Sequence, residues 1–384
     1  MRRPRILAIS EIPTPYRLPL YRAIAERAEL DFEVVFCARE QPDRPWALGD
    51  ELASVPHRVL KNVPFRLKPR TSGFVYEVNP EIVSVLRETK PDLLVVGGYS
   101  VFAEQAAITF ARMKEIPYIL HSESHLLKPR SALVRAVKRS VLTPIITGAA
   151  AGLAVGSAAA RYLAAYGLHP GRIRIFPNTI DVSSFRATAD AARARADEIR
   201  ANRDLPDRFE IFAGRLVEVK GVRDYLRARE LLGTDALPAL FAGDGPLVDE
   251  VVGAPGVRHV GFQQRDDLIE LFALAERTVV PSLSEPWGVV VNDALASGCP
   301  VIASDAVGAA EDLVRDGING RVYPAGDISA LAAVLRMRPP DGDPARGRIE
   351  RWTYDFAVEQ FLEAVRIALP GRVPTPASVR VRRT

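Results

Sequence analysis

The feature that most constrains this chain is a rhythm that runs through it twice. Short apolar runs rich in Val, Ile and Leu alternate with segments patterned for helices. The first series of runs is 5–10, 31–37, 92–97, 118–121 and 152–155, with helical patterns such as 18–28 and 81–89 between them. The second is 209–213, 239–242, 257–261, 277–281 and 300–304, with helical patterns at 222–232, 265–275, 289–297 and 328–335. Runs this short, bounded by polar and turn residues, read as parallel strands buried on both faces. Strand–helix alternation covers each sheet with helices, and two series predict two α/β domains.

A length of 384 residues suits two cores rather than one. The boundary is expected near Pro177, after a strand at 172–176. The first domain is then 1–177 and the second 178–349, with 187–203 as a solvated helix or linker. A helix at 350–369 is expected to return to the first domain, and 370–384 is a basic tail with little to bury.

Charge divides unevenly between the halves. Residues 1–180 carry 25 Lys and Arg against 16 Asp and Glu, and no acid occurs from Ser124 to Ile180. The remainder carries 26 against 31. A basic first half suits an anionic surface or ligand, or is simply a solvated face. Lys61, Arg66, Lys68, Arg70, Lys128, Arg130, Arg135, Lys138 and Arg139 supply the charge for a patch on anionic lipid. The bases are not interleaved with aromatics as a stacking platform requires, which argues against nucleic acid. No apolar run approaches the roughly 18 residues of a membrane span. Cys37 and Cys299 form no disulfide framework, so a cytoplasmic setting is expected, with association at the inner membrane face as a further possibility.

Ligands of open parallel sheets bind beyond the carboxyl ends of the strands, and several chemical groups fall there. Gly214-Arg215-Leu216 follows one predicted strand, with Lys220-Gly221 just beyond it. An Arg fork and a Lys point charge make a diphosphate clamp, and glycine permits close backbone approach. Gly243-Asp244-Gly245-Pro246 is a tight turn at another strand end. The stretch Ser284-Glu285-Pro286-Trp287-Gly288-Val289-Val290-Val291-Asn292-Asp293 enters a helix near Gly288. A helix start suits phosphate, while Glu285 and Asp293 offer acceptor carboxylates for hydroxyl-rich ligands. His121 closes the run 118–120, where a structural role competes with a chemical one. No dedicated metal site stands out.

These motifs in this order resemble the retaining glycosyltransferases called group 1 or family 4. The resemblance extends through Val260-Gly261-Phe262, Gly298-Cys299-Pro300-Val301-Ile302 and Gly308…Glu311…Val314…Gly317…Gly320, so that it covers about residues 208–335. Thr14-Pro15-Tyr16-Arg17 and Pro177-Asn178-Thr179-Ile180-Asp181 match the first half more loosely.

The resemblance implies the GT-B architecture, two Rossmann-like doubly wound domains facing a cleft, with catalysis that needs no metal or cofactor. It implies transfer of a sugar from a nucleotide-sugar donor to a saccharide or lipid-linked acceptor, in the setting of polysaccharide, lipopolysaccharide or glycolipid synthesis. Catalytic roles fall on His121, Glu285, Arg215 and Lys220. Donor contacts fall on Gly214, Arg215, Lys220, Gly243, Phe262, Glu285, Trp287, Gly288, Val289, Val290 and Asp293, and acceptor contacts on Tyr16 and Arg17. Asp293 stands where the family usually has a Glu. A non-catalytic nucleotide-sugar-binding protein and a sugar-nucleotide epimerase are the alternatives of the same architecture.

Overall fold

The computed structural model describes residues 2–40, 46, 48–63, 78–126, 132–339 and 349–374. The first sheet holds β1 (Arg5–Ser10), β2 (Asp31–Phe36), β3 (His57–Val59), β4 (Leu93–Val96), β5 (Tyr118–Ser122), β6 (Ala151–Ala154) and β7 (Ile173–Ile175). The second holds β8 (Glu210–Ala213), β9 (Ala239–Ala242), β10 (Val257–Gly261), β11 (Arg277–Val280), β12 (Val301–Ser304) and β13 (Gly320–Tyr323). Their orders are β3-β2-β1-β4-β5-β6-β7 and β10-β9-β8-β11-β12-β13. All pairings between these strands are parallel. Each sheet starts in its middle, winds to one edge, then returns and winds to the other. The reversal leaves a crevice at the carboxyl ends of β1 and β4, and another at those of β8 and β11.

The central strands are buried throughout because helices cover both faces, as in Leu93–Val96 and Arg277–Val280. Two strands fell outside the apolar-run reading, and both are edges. In β3 the residues are part-exposed, and β13 opens on glycine with its middle turned outward. Neither needs a continuous apolar run.

The segment 187–203, expected as a solvated helix or linker, is helical, and one of its faces is buried. Asp181 caps a helix Val182–Ala194, accepting from the Ser184 amide at 2.9 Å. Val182, Phe185, Ala189 and Ala192 form its buried face, which packs on the helix Arg265–Leu274. Alanines at helical spacing make a close-contact stripe while the arginines and acids occupy the opposite side. A second helix, Ala196–Arg203, buries Ile199 alone.

The chain crosses between the sheets twice, at 176–182 and again at 349–354, where it returns to the first sheet. There the helix Tyr354–Ala368 sets Phe361 edge-on to Phe32 at 5.7 Å and against Phe176 at 5.9 Å. The crossings meet where Thr179 Oγ1 donates to the Trp352 carbonyl. Trp352 stacks on Trp287 with centroids 5.2 Å apart.

Further ties join the halves. A Cβ at Gly156 would lie 2.4 Å from the Trp287 ring and 2.5 Å from Asp312 Oδ2. The next helix, Ser157–Ala165, has no cap of its own on Gly156. Instead, Asp312 from the other half accepts from the Ser157 amide at 2.8 Å and hydroxyl at 2.5 Å. Arg161 grips Glu311 with two bonds of 2.5 and 2.6 Å. Among the described residues no helix is long and apolar enough to cross a membrane.

Phe361 is 1% exposed, so Phe361→Ala leaves a cavity between the last helix and the first sheet. A loss of about 3–5 kcal/mol is expected. Urea unfolding measures it, and a change below about 1 kcal/mol would show that this aromatic contact does not hold the returning helix.

Candidate functional site

The crevice of the second sheet is knit from backbone. The Gly214 amide donates to the Ala242 carbonyl at 2.9 Å, Leu216 to Asp244 at 2.8 Å, and Leu283 to Val219 at 2.9 Å. The last bond crosses the switch point between the loops after β8 and β11. Two glycines make this closeness possible. At Gly243, φ is +135° and a Cβ would lie 2.0 Å from the Gly214 carbonyl oxygen. At Gly221, φ is +70° and a Cβ would lie 1.9 Å from the Pro281 carbonyl oxygen. Any other residue at either position would force the loops apart.

Around this floor the predicted donor residues come together. Lys220 ends a short 3-10 turn, Glu218–Lys220, and its ammonium pairs with Glu285 Oε2. Both side chains are mostly buried, 21% and 14% exposed. Glu285 is held at its backbone from two sides. Its amide donates to Ala306 and its carbonyl accepts from Gly308, each at 3.0 Å. Gly288 precedes the helix Val289–Ala296, whose first-turn amides at Val289 and Val290 have no helical acceptor before them. Arg215 is half-buried beside Gly214. Phe262, 40% exposed just past β10, lies beside the Gly243 loop, where the Gly243 amide bonds Gly261 at 2.8 Å. The arrangement offers two cations, a helix start, a carboxylate and an exposed ring around one glycine floor. It can hold a diphosphate, a hydroxylated group and a flat base together.

Trp287 was expected to meet the donor through its backbone amide, and its side chain takes no part in the crevice. Its side chain is 2% exposed and turned into the junction of the halves. Its Nε1 donates to Asn292 Oδ1 at 2.9 Å, and its carbonyl accepts from Ala309 at 2.8 Å. What Trp287 lends to the crevice is loop shape rather than a contact surface.

On the first-sheet side, β5 runs past His121 to Ser122, so this histidine is inside the strand and 3% exposed. Arg17, also buried, lies along its ring, with Nη1 3.2 Å from Nδ1 and Nη2 3.3 Å from Nε2. Burial and the neighbouring Arg17 charge hold the imidazole well below its usual pKa, so it is neutral. Arg17 also bonds Glu123 at 2.5 Å and donates to Asn178 Oδ1 at 2.8 and 3.0 Å. The guanidinium therefore points inward to the inter-domain crossing rather than outward. Tyr16 is half-buried and meets Trp46 edge-on at 6.4 Å. Of the basic patch, Lys138 sits over the Tyr162 ring at 5.0 Å. Arg66, Lys68, Arg70, Lys128, Arg130 and the side chain of Arg135 lie outside the described residues, as does 375–384.

Sequence reasoning quoted Asn178 and Asn292 within motifs but gave neither, nor Asp312, a role of its own. Asn292 is a polar residue buried beside Val291, Leu295 and Ala296 on its helix.

Comparison with known proteins covers both halves. A family model described as "Glycosyl transferase 4-like domain" matches residues 15–179, and one described as "Glycosyl transferases group 1" matches 209–337. Sulfoquinovosyl transferase SQD2 of Arabidopsis thaliana is 28% identical over 326 residues, 75% of this chain and 60% of that protein. A D-inositol 3-phosphate glycosyltransferase of Thermomonospora curvata is 32% identical over 238 residues, 53% of this chain and 54% of the relative. The chain thus spans little more than half of the curated relatives it matches.

Among solved structures, Anabaena Alr3699/HepE in complex with UDP superposes with TM-score 0.71 at 18% identity, covering 94% of this chain and 98% of that one. WaaG, a glycosyltransferase of lipopolysaccharide biosynthesis, gives TM-score 0.61 at 15% identity, covering 95% and 100%. At such identities the likeness is one of fold.

Asp293 lies one turn into the helix, half-buried. Burial pushes its carboxyl up to about 7, against the opposing charge of Arg265. A raised folded-state pKa means that the protonated form is favoured by folding. Its stabilisation is complete below the unfolded value and lost as pH rises towards 7. Asp293→Asn removes this dependence. Its melting temperature relative to the wild type is expected to rise between about pH 5 and about pH 8. A flat or falling difference in thermal melts would show that the carboxylate is ionised at no cost.

Proposed function

The chain belongs to the group 1 glycosyltransferases, and from that premise we propose that it moves a sugar from a nucleoside-diphosphate sugar to a hydroxyl of a saccharide or lipid-linked acceptor. One observation carries the reading: the Lys220–Glu285 pair set over the glycine floor, facing the helix start at Gly288. These groups neutralise each other in the fold. A donor offers each a new partner, a phosphate oxygen for Lys220 and a sugar hydroxyl for Glu285, with the charged phosphate replacing the carboxylate at Lys220.

In the proposed reaction the bond from the anomeric carbon to the diphosphate oxygen breaks, and a bond to the acceptor oxygen forms. The acceptor proton passes to the departing phosphate oxygen. Arg215, Lys220 and the amides of Val289 and Val290 stabilise the charge that develops there. Entry on the face from which the diphosphate leaves gives retention. Gly214 and Gly243 allow the diphosphate close approach, Phe262 stacks on the base and Asp293 takes the ribose. His121, neutral and nearly buried, offers the sugar a hydrogen bond rather than a charge. Residues 1–177 form the acceptor side and 178–349 the donor side. Tyr16 is the acceptor contact of this scheme, and Arg17 supports it from within. The positive excess of the first half suits a lipid-linked or anionic acceptor at the cytoplasmic face of a membrane, in envelope polysaccharide, lipopolysaccharide or glycolipid assembly.

Thermal-shift measurement with UDP- and GDP-sugars identifies the donor, since a ligand of the folded state must stabilise it. With that donor, turnover in Arg215→Ala/Lys220→Ala is expected to fall about a hundred-fold or more. Near-normal turnover in the double variant would remove the clamp, and an inverted anomeric signal in the product NMR spectrum would remove retention.

A further inference from the structure

His121 and Glu285, two of the four candidate catalytic positions, belong to different halves, and a buried chain of contacts runs between them. It begins at His121, along whose ring Arg17 lies. Arg17 donates to Asn178 Oδ1. The carbonyl of Asn178 accepts from Asn292 Nδ2 at 3.1 Å, and Asn292 Oδ1 accepts from Trp287 Nε1 at 2.9 Å. Trp287 is two residues from Glu285. Asn178 is 3% exposed and Asn292 is fully buried. Asn178 belongs to the first crossing between the sheets, and the second crossing supplies Trp352, which stacks on Trp287.

We infer that Asn292 is a positioning residue: it ties the donor loop Glu285–Gly288 to the crossing at Asn178, so that the loop takes its catalytic shape only in register with the first domain. The inference rests on the proposed transfer reaction and adds to it a residue that touches no substrate. Among the described residues, Asn292 accepts from the indole with its amide oxygen and donates to the crossing with its amide nitrogen. Its oxygen fixes the loop and its nitrogen fixes the domain. A buried bond of this kind is expensive to leave unmade, so the two settings move together.

Asn292→Asp separates the two bonds. Aspartate still accepts from the indole, but it meets the Asn178 carbonyl with oxygen and cannot donate. Trp287→Phe does the opposite, losing the indole donor while leaving the Asn292–Asn178 bond. The primary measurement is hydrogen–deuterium exchange with and without UDP or GDP, whichever the wild-type chain binds. In the wild type, nucleotide is expected to protect the donor loop and also residues 121–124 and 178–181. In Asn292→Asp, protection is expected to stay on the second domain, with nucleotide affinity within about three-fold of wild type and kcat at least ten-fold lower. Asn292→Ser, a smaller group that still donates, recovers part of kcat.

Protection of 178–181 unchanged in Asn292→Asp would overturn the inference. So would a fall in nucleotide affinity matching the fall in kcat, since the residue would then serve the donor pocket alone. Should Asn292→Asp not fold, Trp287→Phe decides. Loss of nucleotide-dependent protection at 178–181 with the donor loop still protected supports the tie, and protection unchanged at both overturns it. A wild-type chain that binds no nucleotide defeats the proposed function instead, which keeps the two failures apart.

Discussion

Everything in this molecule turns on the burial of one indole. Trp287 leaves the second domain, lies on Trp352 of the returning segment, and presses against the backbone of the first domain at Gly156. A buried tryptophan removes roughly 150–250 Å² from water, which corresponds to an upper bound of about 4–6 kcal/mol. The exposed Arg161–Glu311 pair contributes at most about 1 kcal/mol. The apolar plug, not the charges around it, therefore holds the halves together. The charges and caps select the angle at which they meet.

That ordering has a chemical consequence. The residue that glues the junction is in the same loop as Glu285, and the loop's backbone is fixed by Ala306, Gly308 and Ala309. A donor site usually gains precision from its own domain. In the proposed reading it also borrows precision from the other one. Catalysis of this kind rewards groups held in place before charge develops, and a site shaped by two domains can be rigid without being closed to its substrate.

Much of this was legible in the sequence, for reasons that differ by region. The buried central strands announced themselves because both faces are apolar, and β1 and β9 were bounded to the residue, as was the part-exposed edge β10. Edge strands β3 and β13 were not, because an edge asks for less apolar surface. The grouping of Gly214, Lys220, Gly243, Glu285 and Gly288 on one crevice followed from their positions after strands. Side-chain direction did not follow. Arg17 turns inward because Glu123 and Asn178 wait there, and Trp287 because Gly156 leaves room, and both reasons lie more than a hundred residues away. The helical alternative for 187–203 was legible, but its buried face was not, because Ala189 and Ala192 become a contact face only against a partner helix.

Gly156 acts through geometry. A methyl group there would overlap both the indole and the Asp312 carboxylate that caps the following helix from across the junction. The position is a spacer of zero thickness. It sets the closest distance at which the two halves can stand, and with it the width of the cleft between them. Even the smallest side chain at that point would act as a wedge, opening the cleft from its root without altering a residue of the crevice itself.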